Sequence, residues 1–337
     1  MGVKLSGIIN KKAIDFSDLK GKKIAVDFSN MAYQFLSSIR SQEGAPLMDS
    51  HGNITSVYVG IFSRISNLMS QGIEPCFIFD GKPPELKTHV QEEREYRKRV
   101  AEEKFQEAQQ EEDFESMGKY AKQTSRLSRD IIEGSKILLK SLGLPVIQAP
   151  SEADAQISYL CRKKDVWAAA TSDVDPLLYK CPRIVTNLTL SKRRKLPSGI
   201  TIKITPELIE LKEVLKSLKI NQDQLIIISI LTGTDYNPQG IKGIGSKKAL
   251  NLIRTQKDFD KIFKELKPDF NWKQIYAIFK SMPVMENYQL KWSSPDEEKI
   301  KKFLVDKHEF SEERVDKTLQ QLTKKPTGQK GLDSWTK

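Results

Sequence analysis

The 337-residue sequence predicts an α/β fold with a mostly parallel central sheet flanked by helices. Three observations carry that reading. Short apolar runs of strand length, KKIAVDF, PCFIFDG and VWAAA, each stop at or just before an aspartate. Stretches with helical spacing lie between them, such as Val57, Ile61, Ile65 and Leu68 at steps of four, four and three. Acids that follow strands in such sheets face the crevice at the carboxyl edge, where α/β proteins bind ligands.

The organising stretch runs from Ser151 to Asp175. Ser151, Glu152 and Asp154 read as a helix start, with Ser151 as N-cap in a variant capping box. VWAAA is a short buried strand, and Asp173 and Asp175 lie just past its end. Asp27 and Asp80 end the two earlier runs, and LIIISILTGTDY delivers Asp235 at a helix end. Taken singly, each acid reads as a cap or a solvated loop residue. The seven together, Asp27, Asp80, Glu152, Asp154, Asp173, Asp175 and Asp235, cannot share a pocket without cations, because like charges at close range oppose ionisation. Hard divalent ions with oxygen ligands, Mg²⁺ or Mn²⁺, are the natural neutralisers.

Net charge is +11 and the pI is near 9.3. A basic chain holding an acidic cluster points to a polyanionic substrate worked on with metal ions; basicity for solubility alone is the alternative. Cys76, Cys161, Cys181, His51, His89 and His308 are scattered, with no CxxC or HxxxH, which argues against zinc. The sparse, odd cysteine count fits a reducing compartment. No secretory signal or membrane-spanning run is visible, so no membrane partner is expected. MGVKLS fits a myristoylation pattern, and a free Gly2 amine is an equally simple outcome.

In chain order, the first strand ends at Asp27, and a helix over 31–39 carries Tyr33. Residues 41–55 are polar and turn-rich. A helix over 57–70 leads to the second strand and Asp80. From Lys82 to Arg129 the composition shifts: eleven Lys/Arg and eleven Asp/Glu stand in 48 residues. Such a segment buries no core, so it reads either as a solvated charged helix or as a helical arch over the acidic site. Lys87, Arg94 and Arg97 are spaced to share one helix face, and Gly118 marks a break. A helix over 127–142 and the strand LPVIQAP feed the acidic centre. PRIVTNLTL and ITIKIT read as strands flanking the basic loop SKRRKLPSG, and 206–219 as a helix with Pro206 first. GIKGIG before a basic helix start reads as a helix-hairpin-helix, its glycines admitting a phosphate to backbone amides. A plain glycine turn between packed helices is the alternative. Ser246 after the last glycine rules out a Walker A loop. Two small helices over 257–280 and charged helices from Trp292 to near Leu322 precede a tail of disordered composition.

These pieces together resemble the flap endonucleases of the structure-specific 5′-nuclease superfamily. The matching segments are MGVKL, IAVDFSNMAYQFL, FIFDGKPPELK, APSEADAQ, AAATSDVDPLL, LTGTDYNPQGIKGIGSKKAL, LKWSSPDEEKIKKFL and FSEERV, in the family's order over nearly the whole chain. The short tail looks more like the archaeal members than the eukaryotic ones. The resemblance implies one nuclease domain over 1–324 and a flexible tail over 325–337. Within the domain it implies an N-terminal nuclease region over 1–100, a helical arch over about 82–129, and an internal region over 119–260 containing the helix-hairpin-helix at 235–255. It implies two Mg²⁺ per site, with Mn²⁺ as a substitute. Asp27, Asp80, Glu152 and Asp154 would serve one ion and Asp173, Asp175 and Asp235 the other, with some bridging. Lys87 and Arg94 match the arch residues at the scissile phosphate, and Tyr33 the aromatic that stacks on a nucleotide beside the cut. Arg40 goes with the DNA contacts, and Thr55, Glu312 and Arg314 match a pocket for an unpaired 3′ nucleotide. Gly240, Lys242, Gly243, Gly245, Lys247 and Lys248 would meet the duplex backbone, together with a potassium ion; this loop is one residue longer than the family's. The tail QKGLDSWTK resembles a sliding-clamp-binding motif, with Gln329, Leu332 and Trp335 in place and Thr336 where a second aromatic is usual. A frayed tail with one exposed tryptophan is the alternative. A monomer is implied, cytoplasmic with the nucleoid if archaeal and nuclear if eukaryotic.

The implied activity is 5′ flap endonuclease with 5′–3′ exonuclease activity in replication and repair, by two-metal phosphodiester hydrolysis. That chemistry needs no histidine base, which suits a chain with three histidines. One rival is a non-catalytic branched-DNA-binding protein, which needs no acids at strand ends. A nearer rival is a 5′-exonuclease or junction nuclease on the same core.

Overall fold

A computed structural model describes residues 3, 5, 7–41, 44–110, 126–189, 193–195 and 201–323. Its main sheet has seven strands: β1 (Lys12–Ala13), β2 (Lys23–Asp27), β3 (Glu74–Phe79), β4 (Val146–Gln148), β5 (Ala168–Ala170), β6 (Arg183–Thr186) and β9 (Glu207–Glu210), in the order β1-β9-β6-β5-β2-β3-β4. The run β4-β3-β2-β5-β6 is parallel throughout. Only β9 runs against its neighbours. Strand β2 lies between β5 and β3, with Val26 opposite Ala170 and Asp27 opposite Ile78, so the three acid-bearing strand ends are level.

The sheet is buried on both faces, which is why its strands read as continuous apolar runs. Period-two alternation divides them. Ala25, Cys76, Ile78, Ala169 and Ile184 enter one core; Ile24, Val26, Phe77, Phe79 and Val185 enter the other. The first core is covered by α6 (Ala153–Arg162), α7 (Leu211–Leu218), α8 (Gln222–Thr232), α9 (Ser246–Thr255), α10 (Phe259–Leu266) and α11 (Trp272–Ser281). The second is covered by α1 (Phe28–Ser38), by α2 (Ser56–Gly60) and α3 (Ser66–Ser70) joined through a π turn at Ile61–Ile65, and by α5 (Arg129–Ser141), α12 (Glu297–Lys301) and α13 (Glu312–Thr323). Among the described residues no helix is long and apolar enough to cross a membrane.

Four local expectations are corrected. The stretch expected as a helix from Pro206 begins as strand β9, which pairs with β6 through Ile184–Ile209, and the helix starts only at Leu211. The basic loop itself carries a strand: β7 (Arg193–Lys195) pairs with β8 (Thr201–Lys203) in a separate hairpin. Ser151 does not cap α6; the N-cap is Glu152, which makes no side-chain cap bond. Asp80 does that work from another strand, its Oδ1 accepting the Ala153 N–H at 2.9 Å. Finally, Lys87 belongs to a 3₁₀ turn (Glu85–Lys87) ahead of α4 (Thr88–Gln110), so it does not share a helical face with Arg94 and Arg97. Helix α4 is mostly polar yet buries Val90 and Ala101. Gly118 lies outside the described residues.

Candidate active site

Strand β2 ends in Asp27, which caps α1 by accepting the Asn30 N–H at 3.1 Å. Phe28 and Phe79, the residues flanking Asp27 and Asp80, are buried and stack at 4.0 Å, tying the two strand ends together. Two of the acids start α6, two follow β5, and Asp235 follows α8. Each of the seven acids interacts electrostatically with at least two others.

For Asp27, Glu152, Asp154 and Asp175 the consequence is resistance to ionisation. Burial, then repulsion from Asp80 and Asp173, pushes the Asp27 carboxyl up to about 8 against the Asn30 and Ser29 amides. Burial and repulsion from Asp173 and Asp235 push Asp175 up to about 7, although the Val3 N–H at 2.7 Å and Lys87 oppose this. Asp154 is raised well above the usual carboxylate range by burial and by Asp27, Asp175, Asp173 and Glu152. Its Oδ1 is buried and has no hydrogen-bond partner among the described residues.

Lys87 is the internal counter-charge. Its Nζ lies 2.7 Å from Glu152 Oε2 and 3.2 Å from Asp235 Oδ2, with its side chain 12% exposed. Burial pulls this ammonium down, but Glu152 and Asp235 outweigh it and hold it above the ordinary lysine value. Burial likewise lifts Glu152, and Lys87 offsets part of the rise.

Among the described residues, no three His, Cys, Asp or Glu side chains are already drawn together as a metal-ligand set. Lys87 stands between two of the carboxylates instead. The donor chemistry nonetheless fits hard divalent cations: the donors are all oxygens, they repel one another, and one oxygen of Asp154 is buried without a partner.

Residues that the sequence did not single out complete the site. The Asn30 amide Nδ2 donates to Asp173 Oδ2 at 3.1 Å and to Ser172 Oγ at 2.8 Å, and its Oδ1 accepts the Ser172 N–H at 3.1 Å. The buried hydroxyls of Tyr179 and Tyr236 meet at 3.3 Å beside Glu152 and Lys87. Val3 N–H fixes Asp175 across 172 positions of sequence. All but Tyr179 lie within the matching segments, but the partner of each is set by the fold.

Tyr33, on α1, is 40% exposed, with the Lys98 ammonium of α4 5.6 Å from its ring centre. Helix α4 therefore passes over Tyr33. Arg97, on the outside of α4, is tied to Glu93 one turn back. Arg94 is on α4, but its side chain lies outside the described residues. Arg40 folds onto the following loop, donating to the Gly44 carbonyl at 2.7 Å.

A second depression, about 670 Å³, is lined by Thr55, Phe62, His308 and Arg314 among others. Glu312 is not in its wall and pairs instead with Lys301 at 3.4 Å. His308 lies between the rings of Tyr58 and Phe303 at 4.9 and 4.8 Å, and its Nδ1 is 3.0 Å from Asp49 Oδ2. Burial opposes ionisation of Asp49, but His308 and Asn53 bonds hold its carboxyl well below the usual range.

Between α8 and α9 the glycine loop is built as a tight hairpin. Buried Asn237 accepts from Thr234 Oγ1 at 2.7 Å and donates to the Ile230 carbonyl at 2.7 Å. Gly240 has φ +56°, and a Cβ there would lie 2.5 Å from the Thr232 carbonyl carbon, so only glycine fits. Gly243 is also left-handed, at φ +79°. Gly245 is the N-cap of α9 and offers no side-chain cap, and Lys242, Lys247 and Lys248 are exposed around it. Gln329, Leu332 and Trp335 lie outside the described residues.

Comparison with known proteins gives a consistent result. Residues 1–101 match the XPG N-terminal domain and residues 143–235 the XPG I-region. Flap endonuclease 1 of Thermococcus onnurineus is 48% identical over 99% of this chain and 99% of its own length. That of Pyrococcus furiosus is 48% identical over 100% of both chains. The solved structure of flap endonuclease-1 from Methanococcus jannaschii matches with a TM-score of 0.77 at 45% identity, covering 95% of this chain and 98% of that one. The catalytic core of Rad2 in complex with DNA substrate shares the fold at 23% identity, TM-score 0.69, over 93% of this chain and 96% of that one. Near-half identity from end to end, on a site whose acids are divided between the two matched regions, places the chain in the flap endonuclease family.

Proposed function

We propose that this protein hydrolyses the phosphodiester backbone of branched DNA at the junction between a 5′ single strand and a duplex, using two divalent ions held by the seven carboxylates. The observation that supports this most directly is the convergence of those carboxylates from the level ends of β2, β3 and β5, the start of α6 and the end of α8, with Lys87 paired to two of them. When bound, divalent ions supply an activated water near neutral pH and stabilise charge on the leaving oxygen. Asp27, Asp80, Glu152 and Asp154 would hold one ion, and Asp173, Asp175 and Asp235 the other; Mg²⁺ is the natural occupant and Mn²⁺ a substitute. Lys87, once the carboxylates have other counter-charge, offers its ammonium to the scissile phosphate beside Arg94. Tyr33 presents an exposed ring on which an unpaired base stacks, offsetting part of the cost of opening the terminal pair. Thr55 and Arg314 line the depression suited to an unpaired 3′ nucleotide. The glycine hairpin with Lys242, Lys247 and Lys248 holds duplex phosphates, and a potassium ion belongs to the same reading.

The partner reading extends to a sliding clamp through Gln329, Leu332 and Trp335, with the protein acting as a monomer at the nucleoid of an archaeal cytoplasm. The archaeal sources of its relatives support that setting. The experiment is cleavage of an end-labelled flap with Mg²⁺ and with EDTA, beside nicked and four-way substrates. Mg²⁺-dependent cutting of the flap is expected, and Asp175→Ala should abolish it while DNA is still bound. DNA binding without cutting in Mg²⁺ or Mn²⁺ would favour the non-catalytic reading.

A further inference from the structure

A pit of about 130 Å³ lies against Tyr179. Its floor is Ala155, Tyr179 and Phe279, all buried; its rim is Arg162, Lys180 and Lys280, all exposed. The three cations come from three elements. Arg162 ends α6, Lys280 lies in the last turn of α11, and Lys180 follows the 3₁₀ turn Asp175–Leu177. Two of them are held in place: Arg162 donates through Nη1 to the Tyr179 carbonyl, and Lys280 Nζ lies 2.7 Å from Asp223 Oδ1 on α8. Lys180 acts on Asp223 electrostatically but makes no ion pair among the described residues, and its backbone is left-handed at φ +63°. No acid is among the residues lining the pit, and Asp223 is the one acid paired with any of the three cations among the described residues. Exposed cations on α4 and α5 are matched differently, Arg97 with Glu93 and Lys136 with Glu133.

We propose that this pit binds one oxyanion of the phosphate class, either free phosphate or a single phosphate of a polynucleotide. Three cations answered by one acid repel one another, and a bound anion relieves that repulsion. An arginine fork beside two lysine ammoniums is a donor set suited to phosphate oxygens. At about 30 Å³ per water, the pit has room for one tetrahedral oxyanion and a few waters, and not for a nucleoside. Its buried floor strengthens the attraction by lowering the local dielectric. The floor is also shared with the active site: the Tyr179 hydroxyl meets that of Tyr236 at 3.3 Å, and Phe279 packs on the two rings at 5.2 and 5.5 Å. An anion held by Arg162, Lys180 and Lys280 therefore ties α6, α11 and the Asp175 turn together. This assignment does not depend on flap cleavage.

The test is made on the full chain in EDTA. A ligand that binds only the folded state raises Tm. Phosphate, against chloride of equal ionic strength, should raise the parent's Tm by about 2 °C and that of Lys180→Gly by less than half as much. Glycine suits φ +63°, so this variant removes the cation without straining the turn. Labelling of the parent with acetic anhydride, read by mass spectrometry, supplies a local measurement that needs no variant. Either phosphate, or flap DNA in phosphate-free buffer, should slow labelling of Lys180 at least threefold relative to exposed Lys163 and Lys164. Protection by phosphate identifies a free oxyanion as a ligand; protection by DNA alone identifies a backbone phosphate. Lys180 unprotected in both arms would overturn the proposal, and a Tm rise equal in parent and Lys180→Gly would then belong to other cations.

Discussion

Asn30 shows how much of a site one neutral side chain can organise. It caps nothing itself, yet its backbone amide holds Asp27 and its side chain holds Ser172 and Asp173 on the next strand's loop. Asn30→Ala should leave DNA affinity near the parent's and lower the single-turnover rate roughly tenfold, about 1.4 kcal/mol of barrier. It should also raise the Mg²⁺ concentration for half-maximal rate. Parent-like values of both would reduce Asn30 to a helix-start residue. Protonation gives a second expectation. Above about pH 4 an unfolded aspartate has lost its proton, but Asp27 and Asp175 in the folded metal-free protein keep theirs up to about 8 and about 7. The folded state then binds more protons than the unfolded one, so stability falls as pH rises through this window. Thermal unfolding in EDTA should show Tm dropping between pH 5 and 8, and saturating Mg²⁺ should flatten that slope. The acids were legible in the sequence because strand ends and helix ends mark them. Asn30, Tyr236 and Val3 were not, since their partners Ser172, Tyr179 and Asp175 lie 142, 57 and 172 positions away.

At the scale of elements, sequence was most reliable where a run is apolar on both faces. Strands β2, β3 and β5 are such runs, and their ends carry the site. It misled where pairing decides. Glu207–Glu210 has a helix-like start after Pro206, but its backbone groups complete the edge of β6, and that gain outweighs a first turn. The α6 cap was misplaced for a similar reason, because Asp80 arrives from β3 to satisfy Ala153. The glycine hairpin was readable, since a left-handed glycine followed by a lysine-flanked helix start has few other uses. Charge reversal of Lys242 and Lys247 to Glu should weaken binding to every duplex sequence alike and flatten its salt dependence. An unaltered salt slope would leave the hairpin a purely structural turn. In the arch, Lys87→Ala with Arg94→Ala should slow single-turnover cleavage far more than it weakens binding, because contacts made mainly in the transition state act on rate. Rates within a few-fold of the parent would remove both from catalysis.

On the scale of the whole molecule, two cores flank one sheet, and the first residues of the chain belong to that design. Val3 and Leu5 are buried in the same core as Ala25 and Ile184, and Val3 also holds Asp175. Removing residues 1–5 should therefore lower Tm and activity together. Burial of two such side chains is worth about 1.5–3 kcal/mol each, and thermal unfolding beside a flap-cleavage assay measures both losses. Strand-length apolar runs separated by stretches of helical spacing made the fold class readable, but not the strand order, which depends on which helices cover which face. The spread of the carboxylates along the chain has a temporal meaning too. A ribosome that has made Asp27 must add 208 more residues, 235 minus 27, before Asp235 exists. At about 5–20 residues per second that is an interval of about 10–40 s. Throughout it the nascent chain carries an incomplete anionic centre, so under the proposed chemistry a fragment released before Asp235 is made lacks one of the seven carboxylates.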